Sequence, residues 1–284
     1  MRRVVIRSSS LALVAGLLVG GGLGCSTTSG PGGRMTAAAA DVLVPVEQEN
    51  QLGQQMAAEL QAEMKMHPDP EVQAYVANIG NRLVAAAQAD VPAGITFRFH
   101  VVQDDATVNA FAIPGGDIYV YTGLMRLAEN EAELAGVMGH EVAHVTNRHI
   151  AQRLVAQYGL QSIIAMALGQ DAGLLSQLAS SVASQGFLLK YGRDHERESD
   201  YDGIAFAAAA GWSPQGFVTF FEKMEKLGAG DNTPTILVTH PPAAERLENA
   251  QRRIAELGPV EDDLGADRYA PVLRRLGGPA AGTK

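Results

Sequence analysis

Apolar positions recur at helical spacing from Val46 to about Met66, with Leu52, Met56 and Leu60 in register, which predicts an amphipathic helix. The stretch "HPDP" (67–70) breaks it. Val72, Tyr75, Val76, Ile79 and Leu83 then share one face of a second helix over 71–88. The period changes to two in "ITFRFHVV" (95–102), rich in β-branched and aromatic residues and read as a strand. "VNAFAIPGGDIYVYTGLM" (108–125) reads as a strand, a Pro-Gly-Gly turn and a second strand. From about Glu131, "EAELAGVMGHEVAHVTNRHIAQRL" returns to helical period, with Leu134, Val137, Met138, Val142 and Val145 apolar, and predicts one continuous helix.

Between Arg153 and Asp171 lie 17 uncharged residues, and 172–189 is a second uncharged run. Both carry glutamines and serines and fall short of the ~20 apolar residues of a span. They predict buried or membrane-facing amphipathic helices. Further helices are expected over 193–211, stopped by Gly211, over 214–228 and over 243–257, with a loop at 239–242 and a C-terminal tail at 259–284. The pattern is that of one mostly helical α+β domain, 45–258, with a small β-sheet; no internal repeat and no second domain are visible.

The N-terminus has its own logic. Residues 1–24 hold a basic start, "MRRVVIR", and a short apolar stretch ending in small residues, the layout of a signal peptide. Cys25 is the single cysteine and follows directly in "GGLGC". The stretch resembles a bacterial lipobox, with Gly22 where Leu is usual, and that resemblance implies lipidation at Cys25. Ser26 rather than Asp after it implies, by resemblance to Gram-negative sorting, the periplasmic face of the outer membrane; without lipidation the protein would be soluble in the periplasm. Residues 25–44 are small, polar and Gly-rich and read as a flexible tether.

Charge excludes one class of partner. The chain carries a net −9; residues 1–24 hold three Arg and no acid, so the remainder has 19 basic against 31 acidic residues, or −12. A positive field able to reach phosphates is missing, and non-specific nucleic-acid binding is not expected.

The candidate chemistry lies in "GHEVAH" (139–144). Residues i and i+4 lie one turn apart on one helix face, so His140 and His144 can present two imidazoles to one ion. Glu141 can reach a water on that ion and take its proton. A catalytic zinc needs a third protein ligand, and "HERESD" (195–200) offers candidates. The pairs Glu196/Asp200 and Glu198/Asp202 both have i, i+4 spacing, so spacing alone leaves the register open. In either register a carboxylate can bind metal while the next aspartate accepts a hydrogen bond from a ligand histidine. His67, His100 and His149 read as structural or exposed, and His195 points about 100° away from Glu196 on a helix.

"NAFAIPGG", "GHEVAHVTNRH", "ERESDYDG" and "THPPAAERL", in this order, resemble the CaaX-prenyl-protease/HtpX/BepA family of gluzincin zinc metalloproteases over about residues 45–255. Without a helical-repeat period after the domain, the likeness is to stand-alone lipoprotein members. The resemblance implies a zincin-like fold with one Zn2+ and an edge strand bordering the active-site helix. Glu196 is then the third ligand and Asp200 its partner behind the histidine, with Ser199 where Ala is commoner. It also implies that His240 is a switch able to fill the fourth zinc position, and that Arg246 faces the bound peptide or its oxyanion. Asn109 and Ala110 would lie on the edge that pairs with substrate. The implied function is a zinc metalloendopeptidase of the cell envelope acting on unfolded or misassembled proteins, or alternatively a chaperone-like lipoprotein that holds such chains.

Overall fold

The first helix, α1 (Val46–Glu63), buries Leu52, Met56 and Leu60, the face its apolar period predicts. At α2 (Pro70–Ala86) Asp69 accepts a hydrogen bond from the Glu71 N–H at 2.8 Å and Pro70 occupies the first turn. Both are favourable at a helix start. This computed structural model describes residues 44–185, 190–228, 233–241 and 244–277, all within one unit, Arg34–Lys284. The signal peptide, Cys25 and all of the tether except Val44 lie outside the described residues.

Strands β1 (Arg98–Val102), β2 (Ala110–Ala112) and β3 (Asp117–Tyr121) form a sheet of order β1-β3-β2. β1 runs parallel to β3, with Arg98 opposite Asp117, and β2 pairs antiparallel with β3. The one-turn 3-10 segment Pro114–Gly116 joins β2 to β3 with Gly115 and Gly116 at positive φ, where glycine is unstrained. β2 is therefore a sheet edge, and helix α4 (Glu131–Thr146) packs on it. A short helix, α3 (Thr122–Leu127), leads from β3 to α4.

Every residue of α4 is buried. Asn130 caps its start by accepting from the Glu133 N–H at 3.0 Å. Its buried carboxylates are paired: Glu133 with Lys223 at 2.5 Å and Glu131 with Arg268. Two further helices, α8 (Arg193–Ala209) and α9 (Gln215–Gly228), pack against it. The α4–α8 crossing is backbone-close, because a Cβ on Gly203 would sit 2.7 Å from His140 N and one on Gly139 would sit 2.8 Å from Gly203 O.

The continuous helix expected from 131 onward is broken. α4 ends at Thr146, Arg148 adopts a left-handed φ of 55°, and a separate helix, α5 (His149–Tyr158), starts after it. The cause is a long-range contact. Buried Arg148 donates through Nε and Nη2 to Glu49 Oε2, at 2.9 and 2.7 Å, and through Nη2 to the Val44 carbonyl. Hydrophobic period carries no signal of a turn fixed from 99 residues away.

The uncharged runs form α5, α6 (Leu160–Ala167) and α7 (Ala172–Gln185). α6 and α7 pack on α1, where Gln55 donates to Ala167 O at 2.8 Å and Ser180 to Glu63 at 2.7 Å. Among the described residues no helix is long and apolar enough to cross a membrane. The short α10 (Thr235–Thr239) precedes α11 (Ala244–Leu257), which packs on α8. Beyond the expected closing helix, the stretch read as a tail carries α12 (Ala266–Arg275). Tyr269 and Val272 bury its inner face, Leu276 is buried just beyond its end, and the Tyr269 hydroxyl donates to Met125 O at 2.5 Å. Two buried apolar residues in a charged decapeptide are too few to stand out from sequence.

Candidate zinc site

Helix α4 presents His140 and His144 on one face, and α8 crosses it at the paired glycines and brings Glu196 and Asp200 opposite. Glu196 lies 3.7 Å from His140 Nε2 and 3.5 Å from His144 Nε2. The other register goes elsewhere: Glu198 meets His149 at 3.2 Å, and Asp202 accepts from Asn147 at 2.9 Å. His240, at the end of α10, completes a cluster of four buried groups with His140, His144 and Glu196, whose ligand atoms all lie within 4.8 Å of one another.

The donor set fits zinc. His140 Nδ1 faces Asp200 Oδ1 at 2.9 Å. A neutral ring donates there and turns the lone pair of Nε2 toward the cluster. His140 Nε2 is 3.0 Å from His144 Nε2 and 3.1 Å from His240 Nδ1. Buried lone pairs converging so closely repel one another unless a cation lies among them. The spacings are close to the roughly 3.3 Å edge of a tetrahedron with ~2.0 Å bonds to nitrogen.

Burial sets the charges. It holds His140 below its ordinary value and His144 well below, so both rings are neutral and able to ligate. Burial pushes Glu141 up to about 7. For Glu196 burial acts upward, but the charges of His240 and Arg246 outweigh it and hold the carboxyl well below the usual range. For His240 burial acts downward and is outweighed by the charges of Glu196 and Glu141, which raise it.

His240 reaches both carboxylates, with Nδ1 2.9 Å from Glu196 Oε1 and Nε2 3.3 Å from Glu141 Oε1. Buried Arg246 grips Asp200 through Nε and Nη2, at 2.8 and 2.7 Å, and Glu196 through Nη1 at 2.8 Å. Its Nη1 also donates to the carbonyls of His240 and Pro241. The resemblance places this arginine toward substrate; the structure engages its guanidinium with the site's own acids. Asn109 is buried beside the β2 edge, its carbonyl accepting from the Tyr121 N–H at 3.1 Å, and Ala110 begins β2 opposite Val120.

Sequence reasoning missed two neighbours. Tyr191 stacks on His144 with ring centroids 3.8 Å apart. His149, read as structural or exposed, is buried with Nδ1 3.0 Å from His144 Nδ1. Neither lies in a ligand spacing, and only the turn at Arg148 brings His149 back onto the ligand.

A buried His-His-Glu set held by crossed helices under a small sheet defines a zinc metallopeptidase. The chain belongs to peptidase family M48, which matches residues 70–254. It is 30% identical over 242 residues to the beta-barrel assembly-enhancing protease of Escherichia coli (strain K12), covering 82% of this chain and 49% of that protein. Over 171 residues it is 36% identical to the mitochondrial metalloendopeptidase OMA1 of Arabidopsis thaliana, covering 60% of this chain and 33% of that protein. Over 167 residues it is 34% identical to the metalloprotease YcaL of Escherichia coli (strain K12), covering 57% of this chain and 63% of that protein. The chain spans about half the length of the beta-barrel assembly-enhancing proteases it matches.

Proposed function

We propose that this protein is a zinc-dependent endopeptidase of the bacterial cell envelope that cleaves unfolded or misassembled envelope proteins. The observation that carries the reading is Glu141, buried and adjacent in sequence to ligand His140, beside an edge strand packed on the same helix. His140, His144 and Glu196 would hold the ion. When bound, zinc supplies a Lewis acid that polarises the scissile carbonyl and lowers the pKa of water.

The chain's own groups do the rest. Asp200 accepts from His140 Nδ1–H and fixes the ring's tautomer. Glu141, with its proton affinity lifted by burial, takes a proton from the attacking water and passes it to the leaving amine. The β2 edge, with Asn109 and Ala110 at its start, offers backbone groups to an extended peptide, a mode of binding that reads extension rather than sequence. His240 stands where a fourth ligand would, so substrate access requires it to move. Arg246 ties its carbonyl to Asp200 and Glu196 and so connects that loop to the ligand set.

Envelope substrates are supported by the likeness to the beta-barrel assembly-enhancing protease of Escherichia coli and by the N-terminal layout, which points to a lipid on Cys25 and the periplasmic face of the outer membrane. The buried site beneath His240 favours one second reading, a lipoprotein that holds unfolded chains and cuts them rarely. Casein digestion with metal analysis separates the two. Wild type is expected to carry one zinc per chain, to digest denatured protein in preference to its native form, and to stop with chelator. Glu141→Gln should keep zinc and lose at least about 100-fold in rate. Equal cleavage of native and denatured substrate overturns the unfolded-substrate reading. Unchanged cleavage by Glu141→Gln overturns the mechanism.

A further inference from the structure

We infer that His149 is a positioning residue for zinc ligand His144, and that Glu198 in turn orients His149; the inference rests on the zinc reading above. His144 Nε2 faces His140 Nε2 at 3.0 Å and Glu196 Oε1 at 3.5 Å. A ligating imidazole there carries its proton on Nδ1. His144 is fully buried, so that N–H costs about 1–3 kcal/mol unless an acceptor meets it. The group that meets it is His149 Nδ1, at 3.0 Å.

The second ring is constrained in the same way. If His149 accepts at Nδ1, its proton sits on Nε2, and Nε2 faces Glu198 Oε2 at 3.2 Å. Ser199 Oγ lies 3.2 Å from His149 Nδ1, on the flank of the same contact. His195 stacks on the ring at 4.2 Å between centroids and holds its plane. The two ligand histidines are therefore backed differently. Asp200 accepts a hydrogen bond from His140 Nδ1–H directly, whereas a carboxylate reaches His144 through an interposed imidazole.

The geometry depends on the break between α4 and α5. A helix continued through 146–154 would carry His149 onward along the axis, away from the flank of His144. The left-handed Arg148 turns the chain so that the first residue of α5 lies back against the ligand. Glu198 and Ser199 come from the turn of α8 that follows Glu196, so a single helix supplies both the third ligand and the support behind the second.

The test measures zinc affinity by chelator competition and the melting temperature of the zinc-free protein, in wild type and three variants. His149→Phe keeps an aromatic ring in slightly larger form and removes the acceptor; it should lose about 10–100-fold in affinity, more than any change in the zinc-free melting temperature accounts for. His149→Asn offers an amide oxygen near the place of Nδ1 and should recover most of the loss. The visible spectrum of the cobalt(II) form should shift in His149→Phe and return toward wild type in His149→Asn. Affinity unchanged in His149→Phe, or equally weak in both variants, overturns the inference. If His149→Phe does not fold, Glu198→Gln decides: a several-fold loss supports the relay and unchanged affinity overturns it. A wild type that binds no zinc refutes the metal site itself, an outcome distinct from either.

Discussion

Asp117 shows how one side chain sets a pH dependence away from the zinc. It is buried at the start of β3, 2.7 Å from His100 Nε2, and also accepts from Arg98. Burial alone would raise its pKa, but the hydrogen bonds from His100 and Arg98 outweigh it and hold the carboxyl below its ordinary 3.8. A lowered folded value means the stabilisation is fully present above the unfolded value and is lost as pH falls through the folded one. Asp117→Asn should cost about 2 kcal/mol at neutral pH, and the gap in melting temperature from wild type should close below the ordinary carboxylate value. A gap that stays constant through acid would mean the charge contributes nothing. At this scale the site was partly legible. His140, Glu141 and His144 announce themselves because a helix turn converts i, i+4 into one face. The register at 196–202 does not, since Glu198 and Asp202 have the same spacing and only the resemblance chose between them. His149 was read as structural or exposed because its role runs through another residue's far nitrogen.

Among the elements, the crossing of α4 and α8 determines whether the ligands meet. Gly203→Ala would put a Cβ 2.7 Å from His140 N and 2.8 Å from Gly139 C, both backbone atoms that cannot rotate aside. The helices must separate, at a cost of about 1–3 kcal/mol. The expected outcome is a lower melting temperature together with weaker zinc binding, read by calorimetry and chelator competition. A Gly203→Ala protein of normal affinity would show that the crossing has slack. Helices with a clean apolar face, such as α1 and α2, were legible along most of their length, as was the β2–β3 hairpin, because its turn needs Gly115 and Gly116. The parallel pairing of β1 with β3 was not anticipated, since period-two patterning is the same for either direction. The end of α4 was invisible because its apolar period runs on past Thr146 while a distant ion pair turns the chain.

Across the whole molecule, the contact that bends the chain after α4 also decides where a working fragment can begin. The M48 family match starts at residue 70, yet Glu49 and the Val44 carbonyl hold Arg148, and Leu52, Met56 and Leu60 fill the core beneath. Cutting at 70 removes a buried guanidinium's carboxylate and three large apolar side chains worth about 1.5–3 kcal/mol each, against a typical total of about 5–15 kcal/mol. A protein of residues 70–277 is expected to show no cooperative melt, while one of 44–277 melts sharply; equal melts would make α1 dispensable. The folding unit is thus longer than the segment 70–254 that the family pattern matches, and its upstream limit is set by an arginine's reach.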